Sequence, residues 1–391
     1  MPDYDLLLSG GTVLDPAAGG DEAGPRRADV AIAGGRIAAV APSLPHERAR
    51  RTIDVRSGLV TPGLIDLHTH VYWGGTSLGV DPDALSAASG VTTHVDAGSS
   101  GAGNFPGFRR HLIERAQVRV LPFLNISFAG IFAFSRRVMV GESIDLRLLN
   151  VHEAVRVGHE HRDLIVGMKV RLGLIAGEGR GLPPLQHTLQ AAEALGVRMM
   201  VHTDNPPPTR REVLPLLRKG DILTHAFRPF PNGPTVDPGV TGRILPELWE
   251  ARERGVVIDI GHGMGSFSFE SAEACLAQGF LPDVISSDVH ALCIDGPAYD
   301  LPTTMSKLLS LGMPLERVIA AATSAPARAI GRPDLGTLRP GSPADVTVLD
   351  DRTGAFEYVD VTGRTMTGRR RLVPVLTIAG GEVLEPRPAP D

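Results

Sequence analysis

The spacing of apolar positions along this 391-residue chain changes twice, dividing it into two β-rich ends and a different middle. Residues 5–14 and 29–40 are short runs rich in Val, Ile and Leu, bounded by Gly-Gly pairs, which is the pattern of hairpin strands. Residues 344–349 and 371–381 repeat that pattern near the other end. Between about residues 60 and 329 the pattern becomes apolar run, loop and amphipathic helix, the signature of βαβ units on a parallel sheet. Strands are predicted at 64–68, 91–96, 118–125, 165–169, 197–202, 222–225, 256–261 and 284–288, with helices at 105–115, 187–195, 244–254 and 269–278 among them. The expected fold is an α/β (β/α)8 TIM barrel over residues 60–339, beside a small composite β-sandwich domain built from residues 1–59 plus 340–391. In such a barrel the chemistry sits at the C-terminal ends of the strands.

Composition narrows the picture. Hydrophobic residues make up 42% and charged residues 21%, a globular rather than a disordered profile. Lys and Arg total 39 against 44 Asp and Glu, a net charge of -5, with no basic stripe to follow a phosphate backbone, so nucleic acid is not expected as a partner. Cys275 and Cys293 are too far apart for a C-x-x-C motif and offer neither a disulfide framework nor a cysteine zinc site. Leu6-Leu7-Leu8 is too short for a signal core or a membrane span. These features lead us to expect a cytoplasmic protein with a small-molecule substrate, no membrane partner and a homo-oligomeric state.

Candidate chemistry begins at the end of the first predicted barrel strand, Asp66-Leu67-His68-Thr69-His70, where period-2 geometry sends both histidines to one side. Neutral imidazoles suit borderline divalent metals, zinc first. An isolated H-x-H more often reads as two ordinary polar residues where a strand meets a loop. Four more predicted strands, however, end in residues of suitable type: Lys169 within Ile165-Val166-Gly167-Met168-Lys169-Val170, His202, His225 and Asp288. On one barrel rim these six would converge.

The set resembles the amidohydrolase superfamily. Pro62-Gly63-Leu64-Ile65-Asp66-Leu67-His68-Thr69-His70 is similar to the family's first strand, and the order HxH, Lys, His, His, Asp matches its two-metal members. The resemblance extends over the barrel and the composite β domain. It implies that His68, His70 and Asp288 bind one divalent metal and His202 and His225 another, most simply zinc, with Lys169 bridging them as N6-carboxylysine. An ammonium cannot ligate a cation, whereas a carbamate offers two oxygens to ions about 3.5–4 Å apart. An ordinary lysine paired with Asp288 is the alternative. The resemblance further implies a metal-bridging hydroxide that attacks the scissile carbonyl, with Asp288 as the catalytic proton acceptor and donor.

Dihydroorotase-like relatives carry an arginine two positions after the second histidine of HxH, where this chain has Tyr72. The stretch from His70 to Pro82 is similar instead to a deacetylase and D-aminoacylase-like subgroup. The function implied is hydrolysis of a C–N amide bond, removing an acetyl group from N-acyl (D-)amino acids or from related acetylated α-hydroxy acids. Cyclic amide or imide hydrolysis of the hydantoinase type, ester or lactone hydrolysis, and a non-catalytic scaffold are the rivals. Arg228, three residues beyond His225, and Arg171, two beyond Lys169, are candidates to pair with a substrate carboxylate, or else are ordinary ion-pairing residues. Tyr72, Asn205 and His262 are further candidates for substrate binding, and His290 for orienting Asp288 through a hydrogen bond.

Overall fold

The computed structural model describes residues 3–236 and 242–385. Its centre is a curled parallel sheet of seven strands, Leu64–Thr69, Val91–Gly101, Arg119–Asn125, Gly167–Leu172, Arg198–Thr203, Ile222–Leu223 and Val257–Ile258, each bonded to the next in chain order. Most positions of these strands are buried, as expected of parallel strands covered by helices. Along Gly167–Leu172 the alternation of side chains is explicit. Met168, Val170 and Leu172 join the core shared with the helices, while Lys169 and Arg171 take the opposite face.

The eighth predicted strand, at 284–288, is not a regular strand. Its segment nevertheless lies between the two ends of the sheet: Ile260 N donates to Val284 O at 3.1 Å, Asp288 N to His68 O at 2.7 Å and His70 N to Val289 O at 3.0 Å. Extended pairing cannot continue through Asp288, whose φ is 48°, in the left-handed region. The sixth strand stops early for the same reason, before His225 at φ 61°.

Helix boundaries also shift. Pro183–Leu195 begins four residues before the predicted start, because Pro183 and Pro184 occupy the first turn, where a missing N–H costs nothing. The predicted helix at 105–115 is an α turn, Phe105–Phe108, followed by a π-helical turn, Arg109–Ile113. Val151–Glu160 and Leu301–Ser310 are helices that the periodicity reading did not single out. No helix of the described residues is long and apolar enough to cross a membrane.

Both termini build one eight-stranded sheet rather than two separate sheets of a sandwich. Tyr4–Val13 pairs along one edge with Arg26–Ala33, and its other edge is shared by Ala49–Asp54 and Leu59–Pro62. Leu59–Pro62 then pairs with Val346–Val359, which joins the two ends of the chain. A separate cluster including Leu8, Val30, Val60, Val348 and Ile378 fills this domain. Residues 60–62 therefore pair within the terminal sheet, and Gly63 links it to the first strand of the parallel sheet. There a Cβ would lie 2.2 Å from Thr92 Oγ1 and 2.8 Å from Asp345 Cβ, so only glycine fits.

A second tie between the two units is Lys307, fully buried in Leu301–Ser310. Its Nζ lies 2.7 Å from Pro297 O, 2.8 Å from Val359 O and 2.8 Å from His262 Nε2. Since His262 Nδ1 faces Gly263 O at 2.9 Å and so carries the ring proton, Nε2 accepts. Three acceptors need three N–H groups, which only the ammonium supplies, although burial lowers the Lys307 pKa to about 7. Lys307→Met should leave these acceptors unpaired and cost about 2–4 kcal/mol. Urea denaturation measures this, and an unchanged midpoint would show that the ammonium does not tie the two units together.

Candidate metal centre

Six ionisable side chains from five chain segments meet at one end of the parallel sheet. His68 is the fifth residue of Leu64–Thr69 and His70 follows that strand directly. The carboxylate of Asp288 reaches both: Oδ1 lies 3.2 Å from His68 Nε2 and 3.3 Å from His70 Nε2. The left-handed backbone at Asp288 is what turns its side chain toward this strand. These three buried residues offer ligand atoms that all lie within 4.8 Å of one another.

Lys169 is completely buried, and its Nζ lies 3.3 Å from His68 Nε2 and 3.3 Å from Met200 Sδ. His202 and His225 stand edge to face with ring centroids 4.3 Å apart, and His225 lies 5.0 Å from His68. The Nε2 atoms of His202 and His225 are both buried without a hydrogen-bond partner. Two unpartnered imidazole nitrogens are costly in a protein interior, and a cation is what such a lone pair suits. The ligand set anticipated for two metals is thus brought together, in unequal halves. His68, His70 and Asp288 form a three-ligand group, whereas His202 and His225 need a further donor, which an unmodified lysine ammonium cannot be.

Electrostatics points the same way. Burial drives His68, His202 and His225 well below the usual imidazole pKa and His70 to about 3, so their lone pairs are free to ligate. Burial also raises Asp288 to about 6 and lowers Lys169 to about 7. Each group disfavours its charge because water is excluded, and a bound divalent cation would offset that penalty.

The ligands are held from behind. Thr224 Oγ1 lies 2.8 Å from His68 Nδ1 and donates to Asp259 Oδ2 at 2.7 Å, so it accepts from the imidazole N–H. Asp259 also accepts from Ser286 Oγ at 2.7 Å, and burial raises its pKa to about 7. Ser99 Oγ lies 2.9 Å from His70 Nδ1, and Asp96 anchors that loop through the amides of Ser99 and Val71 at 2.8 and 2.9 Å. His225 Nδ1 donates to Gly261 O at 2.6 Å. The buried guanidinium of Arg210 donates to the carbonyls of His225 and Ala226, holding the left-handed turn. Sequence reading passed over Thr224, Asp259, Ser99 and Arg210. The one available signal was Asp259, a lone carboxylate in the apolar run Val256-Val257-Ile258-Asp259-Ile260.

A cavity of about 30 Å³ opens onto this cluster, lined by His68, His70, His202, Asp288, His290 and Arg171, with Leu78, Ile131 and Phe134 as its apolar wall. Four expected recognition residues lie off it. Arg228 is buried and gives Nη1 to Thr203 O at 2.6 Å. Tyr72 stacks on Phe108 at 4.3 Å and donates to Asn104 O. His262 is fully buried against Lys307. Asn205 accepts at its backbone from Leu174 N at 2.9 Å, bracing a neighbouring turn. His290 lines the cavity but makes no hydrogen bond to Asp288 among the described contacts. Its Nδ1 accepts from Leu292 N at 3.2 Å, which puts the ring proton on Nε2.

Comparison with known proteins agrees with this arrangement. A sequence model described as the amidohydrolase family matches residues 268–384. A deacetylase of Agrobacterium fabrum is 37% identical over 95% of this chain and 90% of its own length. A crystal structure described as an adenine deaminase superposes with a TM-score of 0.89 at 33% identity, covering 98% of this chain and all of that one. Another, described as a dihydroorotase, gives 0.86 at 36% identity over 97% of this chain and 98% of that one.

Removing the hydroxyl that links His68 to Asp259 isolates the supporting contacts. Thr224→Val should weaken metal binding roughly 10–100-fold with little loss of folding, measured by zinc titration against a competing chelator. Unchanged affinity would mean that Thr224 only packs.

Proposed function

This chain belongs to the amidohydrolase family, hydrolases of carbon–nitrogen bonds other than peptide bonds, and from that premise we propose that it removes an acetyl or similar small acyl group from an N-acylated amino acid, the D series first, or from a related acetylated α-hydroxy acid. The observation that carries this reading is the water-excluded histidine and aspartate cluster at the floor of a cavity that an arginine also lines, in a chain whose full-length relatives include a deacetylase. We read the seven regular strands with residues 284–289 as an eight-stranded (β/α)8 barrel, which accounts for every ligand sitting at one end.

We assign His68, His70 and Asp288 to one divalent ion, taken as zinc, and His202 and His225 to a second, with Lys169 shared as its N-carboxylated form. When bound, such ions polarise the scissile carbonyl and make a water acidic enough to attack near neutral pH. The protein's own groups do the rest. A buried lysine whose pKa falls to about 7 is substantially a neutral amine at that pH, the form that adds CO2. Asp288, with its carboxylate held at 3.2–3.3 Å from two imidazoles and its pKa raised to about 6, takes the proton of the attacking water and returns it to the departing nitrogen. His290, protonated on Nε2, supplies a neutral donor on the cavity wall. Leu78, Ile131 and Phe134 exclude bulk water.

Elemental mass spectrometry of protein expressed with zinc and bicarbonate should find about two divalent ions per chain, and Lys169→Ala should lose metal and activity together. Full metal retention in that variant would reject the bridging lysine. Asp288→Asn should lower acetyl release by about 10²–10⁴-fold while leaving the fold intact, and near-normal turnover would remove its proton-transfer role. A screen of N-acetyl-D- and N-acetyl-L-amino acids against hydantoins should release acetate. Ring opening alone would replace deacetylation with cyclic-amide hydrolysis.

A further inference from the structure

Three arginines are buried in the described residues: Arg171, Arg210 and Arg228. Arg210 is committed to the carbonyls of His225 and Ala226, and Arg228 donates to Thr203 O. Only Arg171 lines the cavity that opens onto the histidine cluster. It lies two residues after Lys169 on the same strand, so its side chain rises from the same face about 6.6 Å nearer the strand's C-terminal end.

Its guanidinium is held but not used up. Nη1 donates to Glu142 Oε2 at 3.2 Å, and the group lies over the Phe134 ring at 4.9 Å. Among the described contacts Nε and Nη2 have no acceptor, and neither is among the buried polar atoms left without a partner, unlike the Nε atoms of Arg210 and Arg228. The open edge of a guanidinium presents two parallel N–H donors, the geometry that matches a carboxylate bidentately. Glu142 neutralises part of the charge, which limits long-range attraction but leaves those donors directed. It also keeps an unpartnered Oε1 in the interior, so the pair is not a saturated structural salt bridge.

We propose that Arg171 is the specificity-determining residue of this site, pairing through its Nε–Nη2 edge with a carboxylate on the carbon that bears the acylated nitrogen or oxygen, while Glu142 and Phe134 hold the guanidinium in place. This deepens the deacylase reading and rests on it. It also assigns to the Phe134–Glu142 stretch the job of adapting to substrate, because a cavity of about 30 Å³ holds little more than one or two waters.

The test compares N-acetyl-D-phenylalanine with its carboxamide in the metal-loaded enzyme. Arg171→Met should reduce the carboxylate-to-carboxamide ratio of kcat/KM on the order of 10²-fold, mainly through KM, with metal content unchanged. Arg171→Lys should recover only part of the preference, because a point charge lacks the paired donors, and it keeps the test available if the methionine variant does not fold. A ratio unmoved in both variants, with rates falling together, would overturn the assignment. Binding of phenylacetate and phenylacetamide, followed by ligand-observed NMR, separates the two layers. A wild-type protein that hydrolyses neither acetyl compound but binds phenylacetate through Arg171 would reject deacylation and keep the carboxylate anchor. Turnover with no Arg171-dependent preference would do the reverse.

Discussion

The exclusion of water from a cluster of ionisable groups is the constraint on which this structure turns. His68, His70, Lys169, His225 and Asp288 are buried and His202 is partly so, and burial disfavours the charged form of every one. Such a cluster survives only if the chain supplies hydrogen bonds at fixed positions or a cation takes the lone pairs. The first solution is visible directly, and the second is the one the free nitrogens suit. The outward-facing Nδ1 atoms of His68, His70 and His225 are each tied to the protein, at Thr224, Ser99 and Gly261, and the inward Nε2 atoms of His202 and His225 are left unpartnered. That asymmetry fixes the tautomers and aims the free nitrogens at one point.

Regular secondary structure gives way where the site requires it. A strand that ran on through His225 or Asp288 would send these side chains to alternate faces, and the carboxylate would miss His68 and His70. Both residues instead adopt left-handed backbone, a conformation disfavoured for residues with a Cβ and maintained only by surrounding bonds. Arg210 supplies those bonds for His225. For Asp288, the amide is paired with His68 O, and Gly263 leaves the space beside its carboxylate, where a Cβ would come within 2.2 Å of Oδ2. Strain at these two residues is thus balanced by a buried arginine and a glycine elsewhere in the chain.

The terminal sheet contributes to the same rigidity from outside. Gly63 N donates to Asp345 O at 2.7 Å immediately before the first strand of the parallel sheet, and Lys307 connects Val359 of the C-terminal hairpin to His262. His262 in turn precedes the glycine that rests against Asp288. The spacing of the clustered groups therefore depends on contacts between segments far apart in the chain.

Much of this was legible in the sequence. Apolar runs of Val, Ile and Leu ending in His68, Lys169, His202 and His225 located the strands and the residues that cluster at their ends, because strand period and imidazole chemistry are local properties. The order of those residues identified the family. Tertiary structure decided the rest. Which arginine faces the cavity was beyond local reading, since Arg171 and Arg228 both follow a ligand closely. Only strand direction and the bond from Arg228 to Thr203 O separate them. Tyr72 and His262 were drawn away by Phe108 and Lys307, partners 36 and 45 residues distant in the chain. The irregular segment at 284–289 has the composition of a strand, but its path is set by the sheet edges on either side and by the turn at Asp288. Sequence determined which chemical groups are present and on what period they recur. Packing determined which of their atoms remain unpaired, because a hydrogen bond depends on distance in space and not on position along the chain.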